Sequence, residues 1–273
     1  MARDVRGLRM LITGASSGIG RCLAEKAALQ GARVALAARS ADKLDELARS
    51  LADRNADAVA VPADLGSEED RKRLLQTVVD HFGGLDVLVN NAGVASWAHF
   101  ADSSEAVLRQ VMEVNFFAPA ELIRLAIPVL THGRQPAIVN VASMCGRRGM
   151  PAWPEYSASK FGLCGLTEAL RGEMVRFGID VLLVVPGLTR SDLNRHLLLN
   201  RGRDEINFAA GMAPEEVADG ILRALRENRT ETVLGKEARW LLRANRYLPR
   251  LVDWLIGRRV RKLYRQESVV RSQ

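Results

Sequence analysis

Tyr156 and Lys160 stand four residues apart, and Ser143 lies thirteen residues before the tyrosine. If the span from 156 is helical, the phenol and the ammonium share one face. A free phenol, with a pKa near ~10, is a poor acid or base at neutral pH. A neighbouring cation favours the phenolate and lowers that pKa, which brings proton transfer within reach. An exposed Tyr/Lys pair on an ordinary helix is the alternative. Ser143 closes an apolar run, Ala137–Ala142, so its hydroxyl falls at the carboxyl edge of the sheet that run joins. There it can donate to a carbonyl oxygen aligned with the acid.

A second constellation lies far upstream. Thr13 ends a strand-like run and is followed by Gly14, three residues that include Ser16 and Ser17, then Gly18, Ile19 and Gly20. Glycines let the backbone approach a pyrophosphate, and the N–H groups of a helix start favour its negative charge. A glycine-rich turn that binds nothing has the same pattern, but its place at the first strand of a β-α-β series argues for the cradle. The second strand ends Ala37-Ala38-Arg39-Ser40. The carboxylate that would hold an NAD ribose is missing there. Arg39 can pair with a ribose 2′-phosphate instead, which favours NADP over NAD. Asp64 and Leu65, after the third strand, can bracket an adenine edge or simply turn the chain. Asn91, Ala92 and Gly93 close the fourth strand with small residues and an amide, suited to a backbone pressed against a ribose or to a plain turn.

These residues need a frame. Strand-like runs at 8–13, 33–38, 58–62, 85–90, 137–142, 180–185 and 231–234 alternate with helical stretches near 18–30, 41–54, 67–82, 104–131, 156–177 and 214–228. Several runs are continuously apolar, as strands covered on both faces are. Strict alternation predicts an α/β fold: a doubly wound parallel sheet in three α/β/α layers, one domain over 1–234. Ser67 and Ser40 are placed as helix caps. Asn115 sits in a mostly apolar helical stretch, where a buried amide needs main-chain partners or a water that feeds protons to Lys160.

Composition excludes several classes. The chain has 273 residues and a net charge of +7. Residues 235–273 hold 11 Lys/Arg against 3 Asp/Glu, so the remaining 28 against 29 leave the body near neutral. That argues against a general nucleic-acid binder. No run approaches the ~18 apolar residues of a membrane span. The first ten residues do not resemble a secretory signal, and three cysteines without metal spacing suit a reduced, cytoplasmic compartment.

Taken together, the motifs resemble the short-chain dehydrogenase/reductase family, in its single-domain branch with a Rossmann-type fold. They run in the family's order from Thr13 to about Thr189: the glycine motif, Asp64-Leu65, Asn90-Asn91-Ala92-Gly93, Asn115, Ser143, Tyr156 with Lys160, and Pro186-Gly187. The resemblance implies hydride transfer between a nicotinamide and a carbonyl or alcohol. It implies that Tyr156 is the general acid/base, and that Lys160 lowers its pKa and holds the nicotinamide ribose. Ser143 would orient the substrate, and Asn115 would anchor a relay water. Pro186-Gly187 would pack by the nicotinamide, with Thr189 or Ser191 near its carboxamide. It also implies a homodimer or homotetramer paired through 104–131 and 156–177.

The pocket wall expected from the sequence is Met144, Cys145, Met150, Trp153, Leu188 and Leu193, with Trp97 and His99 from the loop after Gly93 and 192–212 as a lid. Such residues suit a lipophilic small molecule, or else belong to the core. Arg147 and Arg148 face an acidic carrier or substrate or, the reading favoured by the sequence, lie in a solvated turn. The 235–273 extension is basic and amphipathic. Over 238–264 arginines recur at helical spacing beside a stripe of Trp240, Ala244, Tyr247, Leu248, Leu251 and Leu255. That stripe docks on the body or a partner subunit, or rests on anionic lipid. Pro249 is expected to kink the segment and Gly257 to end or break it.

Overall fold

A computed structural model describes residues 3–190, 193, 196–202 and 207–270, with side chains to 263. Its strands are β1 (Arg9–Thr13), β2 (Arg33–Ala38), β3 (Ala58–Pro62), β4 (Val87–Asn90), β5 (Ala137–Val141), β6 (Asp180–Pro186) and β7 (Glu231–Leu234). They form one sheet in the order β3-β2-β1-β4-β5-β6-β7, and every pairing is parallel. The chain order reverses between β1 and β4. In such sheets that reversal opens a crevice at the carboxyl ends of the strands.

The helices are α1 (Gly18–Leu29), α2 (Ala41–Ala52), α3 (Glu68–Phe82), α4 (Glu105–Met112), α5 (Ala118–Leu130), α6 (Pro154–Glu173), α7 (Pro214–Arg226), α8 (Lys236–Tyr247) and α9 (Pro249–Val270). Period-two alternation in the strands sorts them into layers. Met10 and Ile12 pack with Leu23 of α1, Leu44 of α2 and Ile221 of α7. Leu11 and Leu88 point the other way, to Leu74 of α3 and Leu122 of α5. Leu183 and Val185 meet Leu163 and Cys164 of α6. The three-layer, doubly wound fold read from the sequence is the one observed.

Three local readings change. The stretch 104–131 is two helices joined by a single π-helical turn, Glu113–Phe117. A π turn accommodates one extra residue per turn, and such turns cluster where a side chain is held for a purpose. Here the turn carries the fully buried Asn115. Ser67 caps α3, its Oγ accepting from the Asp70 N–H at 3.2 Å. Ser40 makes no capping hydrogen bond and lines a cleft instead. The C-terminal helix breaks at Leu248–Pro249 and runs straight through Gly257. A lone helical glycine costs only about 1 kcal/mol, too little to end a helix that packing supports.

The extension docks on the body, but not through the predicted stripe. Ala238 and Val252 are buried, and Leu242 packs against the core, whereas Trp240, Tyr247, Leu248, Leu251 and Leu255 stay exposed. Ala238 sits so close to Gly187 that a side chain on the glycine would begin 3.0 Å from the alanine methyl. Arg148 ties both tail helices down, donating to Asn245 at 2.9 Å and pairing with Asp253 at 2.5 Å. Arg147 pairs with Glu168 at 2.5 Å and Glu231 at 2.7 Å. The reading of Arg147 and Arg148 as a solvated or substrate-facing turn therefore fails, because carboxylates of α6, β7 and α9 engage them.

Candidate active site

Thr13 is the hinge of the crevice. Its hydroxyl donates to the Val89 carbonyl at 3.2 Å and accepts from the N–H groups of Asn91 at 2.9 Å and Ala92 at 3.0 Å. The Asn91 amide returns to the Thr13 carbonyl at 2.9 Å. These bonds lock the ends of β1 and β4 together, where ordinary ladder pairing stops.

Gly14 leaves β1 at φ +70°, a conformation that glycine adopts without strain. A Cβ on Gly20 would fall 2.1 Å from the Gly14 carbonyl oxygen, so α1 starts against the turn only because position 20 is glycine. The Ser17 side chain does not cap α1, and no acidic residue occupies its first turn. The leading N–H groups thus face the cleft without a side-chain acceptor, an arrangement that suits a pyrophosphate.

One cleft of about 410 Å³ joins this turn to the proton-transfer candidates. Gly14, Ser16, Ser17, Gly18 and Ile19 line one end, Arg39, Asp64 and Leu65 another, and Asn91, Ala92, Gly93, Tyr156, Lys160 and Leu193 the rest. Gly20 shapes the turn from beneath. Lys43, Val114 and His196, which no sequence motif marks, also line the cleft. Lys43 carried a usable signal, one helical turn beyond Arg39; His196 carried none. Asp64 has one carboxylate oxygen engaged by the Gly66 N–H at 3.0 Å, as in a turn.

Tyr156 and Lys160 sit in the first two turns of α6, and both are buried. The Lys160 ammonium donates to the Val141 carbonyl at 3.1 Å and stands 5.8 Å from the tyrosine ring centroid. Burial lowers its pKa to about 8. Burial also pushes the Tyr156 phenol above its ordinary range; the nearby Cys145 thiol adds to the rise, while a hydrogen bond with the Ser143 hydroxyl opposes it. The net effect on the phenol in the free enzyme is therefore upward. The phenol is thus held in its protonated form, with the Ser143 hydroxyl beside it. Ser143 Oγ also accepts from the Cys145 N–H at 3.2 Å. Desolvation raises the Cys145 thiol to about 11, which keeps it inert.

Asn115 closes on protein groups. Its Oδ1 accepts from the Val94 N–H at 2.9 Å, and its Nδ2 donates to the Val94 carbonyl at 2.9 Å and to Ser159 Oγ at 3.0 Å. Ser159 then donates to the Tyr156 carbonyl at 2.8 Å. The side chain therefore braces the loop after β4 against α6.

This arrangement has a counterpart among known proteins. The sequence matches the short chain dehydrogenase family over residues 9–201. The chain belongs to that family. It is an NAD(P)-dependent oxidoreductase. It is 34% identical to the uncharacterized oxidoreductase YxnA of Bacillus subtilis over 90% of this chain and 70% of the relative. It is 33% identical to dehydrogenase/reductase SDR family member 7B of Bos taurus, over 86% of this chain and 75% of that protein. A dehydrogenase/reductase from Sinorhizobium meliloti superposes with a TM-score of 0.76 at 28% identity, covering 86% of this chain and 97% of that one. A short-chain dehydrogenase/reductase from Burkholderia phymatum, in complex with NAD, shares the fold with a TM-score of 0.83 at 24% identity, covering 91% and 96%.

The remaining expected site residues of this dehydrogenase/reductase lie beyond the cleft wall. Pro186 ends β6, and the Gly187 N–H donates to the Leu234 carbonyl at 2.9 Å. Thr189 turns its hydroxyl to the Gly187 carbonyl at 3.1 Å. Ser191 lies outside the described residues, as does part of the expected lid. Within that lid, Leu198–Arg201 joins the loop after β4: Leu198 N–H donates to Ala95, Trp97 N–H to Leu199, and Arg201 N–H to Trp97. Trp97 stacks on Trp153 at 6.4 Å, and Trp153 meets Tyr156 edge-on at 5.8 Å. Met144 and Met150 are half-buried nearby, and Leu188 is exposed. His99 starts the turn Phe100–Asp102.

Proposed function

We propose that this enzyme reduces a lipophilic ketone or aldehyde with NADPH, and runs the reverse reaction at high alcohol concentration. When bound, the nicotinamide supplies or accepts the hydride. The glycine turn and the α1 N-terminus hold the pyrophosphate, Asp64 and Leu65 flank the adenine, and Asn91 to Gly93 face the ribose. Lys160 holds the nicotinamide ribose, Pro186 and Gly187 lie beside the ring, and Thr189 or Ser191 takes its carboxamide. Ser143 orients the carbonyl oxygen, and Tyr156 gives it a proton. Asn115 keeps its place in this set by bracing α6 and the β4 loop, with a relay water at its turn.

The observation that carries this reading is the single cleft in which the glycine turn, Tyr156 and Lys160 meet. The preference for NADP rests on two cations in that cleft, Arg39 and Lys43, neither of which has an ion-pair partner among the described residues. Lipophilic substrate choice rests on the Trp97–Trp153–Tyr156 ladder, to which Met150 is tied through the Trp153 N–H, with Leu193 on the same cleft as Tyr156 and Met144 and Leu188 completing the expected wall. The test is NADPH oxidation with a panel of lipophilic carbonyls. Tyr156→Phe is expected to lose about 10²–10⁴-fold in rate, the usual worth of a positioned general acid. Equal rates for the two proteins would remove Tyr156 from the chemistry.

Three further assignments accompany this one. The exposed Phe117 and Phe161, on the α4–α5 and α6 surfaces, support pairing of subunits there as a homodimer or homotetramer. Three free thiols support a cytoplasmic setting. Among the described residues no helix is long and apolar enough to cross a membrane. The exposed Trp240, Tyr247 and Trp254 among arginines support peripheral contact of the 235–273 extension with anionic lipid.

A further inference from the structure

A second cavity, of about 580 Å³, lies between α7, β7 and α8, and shares no lining residue with the dinucleotide cleft. Six arginines line it against one carboxylate, Glu231. Two of the six are committed: Arg147 to Glu168 and Glu231, and Arg229 to Glu227. The other four, Arg223, Arg239, Arg243 and Arg246, have no ion pair among the described residues. Arg246 meets only the Tyr247 ring, at 5.9 Å.

This concentration of like charge does not follow from helix periodicity alone. Arg223 comes from α7, and Arg239, Arg243 and Arg246 come from α8, so the fold brings two elements' cations to one hollow. Such a gathering of exposed guanidinium groups around one hollow favours an anion there. Two buried donors on the same wall point the same way. Thr232 Oγ1 and Arg147 Nε are shielded from solvent, yet neither finds an acceptor in the protein. Native structures rarely leave such groups unpaired. Guanidinium forks pair with phosphate oxygens in a two-point geometry.

We propose that this cavity is a binding site for a multiply charged phosphate anion, separate from the coenzyme. The ligand is a free polyphosphate or the headgroup of a phosphorylated lipid; both present the same oxygens to the arginines. Arg239 and Arg243 form the centre of the site, one helical turn apart and exposed on α8. Arg223 closes it from α7.

Titration calorimetry with sodium tripolyphosphate, on the full chain saturated with NADPH so that the coenzyme cleft is blocked, tests this directly. Phosphatidylcholine vesicles carrying a phosphatidylinositol phosphate form the second arm. Saturable binding that weakens with added salt is expected in at least one arm. Arg239→Ala with Arg243→Ala should weaken it by about tenfold per arginine, the worth of a charge-assisted hydrogen bond, while leaving NADPH affinity unchanged. Binding to vesicles alone assigns the lipid headgroup, and equal binding of the soluble anion assigns a free ligand. Absence of saturable binding in both arms overturns the proposal, and so does unchanged binding by the double variant.

Discussion

Gly93 lies beneath the Lys160 ammonium: a side chain begun at 93 would start 3.7 Å from Nζ and 3.2 Å from Asn115 Oδ1. Asn115 cannot retreat, because Val94 holds both ends of its carboxamide. Any branch at 93 must therefore displace the lysine or fill the space above it. Gly93→Val is expected to weaken NADPH binding by about tenfold or more while the protein stays folded. Fluorescence titration of NADPH measures the first, and circular dichroism the second. Unaltered affinity would mean that the space above Gly93 is not used by the coenzyme.

Removing the brace itself has a different signature. Asn115→Ala leaves the Val94 N–H and carbonyl without their buried partner, and should cost about 1–3 kcal/mol. Urea denaturation reads this as a lower midpoint at unchanged slope. A midpoint equal to wild type would show that the π-helical turn holds its shape without the amide.

Coenzyme choice is the third test. Arg39→Ala and Lys43→Ala should each weaken NADP by about tenfold to a hundredfold, the range for hydrogen bonds to a charged group, and leave NAD unaffected. Paired titrations of NADP and NAD decide it. If the ratio of the two affinities survives in both variants, the 2′-phosphate lies elsewhere.

A fourth concerns pH. Burial depresses the Lys160 pKa from 10.5 to about 8. Between those values the unfolded chain binds more protons than the folded one, so this group makes stability rise as pH rises above about 8. The raised thiols of Cys22, Cys145 and Cys164 act the other way above their ordinary value of 9.0, and the raised phenol of Tyr156 does so above 10.0. The useful window is therefore pH ~8 to ~9. Across it, wild-type stability from denaturant melts should climb relative to that of Lys160→Met, which lacks the titrating amine. Parallel curves would mean that the lysine keeps its full charge when folded.

The fold was legible because its signals are local and redundant. Apolar runs such as Met10–Ile12 and Val181–Val185 are covered on both faces, and Ser67 announces its helix with three acids behind it. The glycine turn was legible for the same reason, since φ at Gly14 and the contact at Gly20 each demand that residue. What the sequence hid depends on distant partners. Asn115 reads as one polar residue in a helix, and only the fold reveals Val94 across from it. The tail stripe left two readings open because amphipathic spacing marks a face without saying whether that face is covered; Ala238 and Val252 do the docking, and most of the stripe stays exposed. Arg147 and Arg148 looked solvent-facing because Glu231 and Asp253 are 84 and 105 residues away.

The closeness of Ala238 to Gly187 makes the basic extension part of the wall behind β6, next to the loop assigned to the nicotinamide. Cutting the chain after Leu234 would strip that wall and leave Pro186–Gly187 bare, so a truncated enzyme would report the loss of a neighbour as well as of a tail. Bulk at 238 acts on the same joint from the opposite side. Whatever moves α8 has a short mechanical route to the Pro186–Gly187 loop.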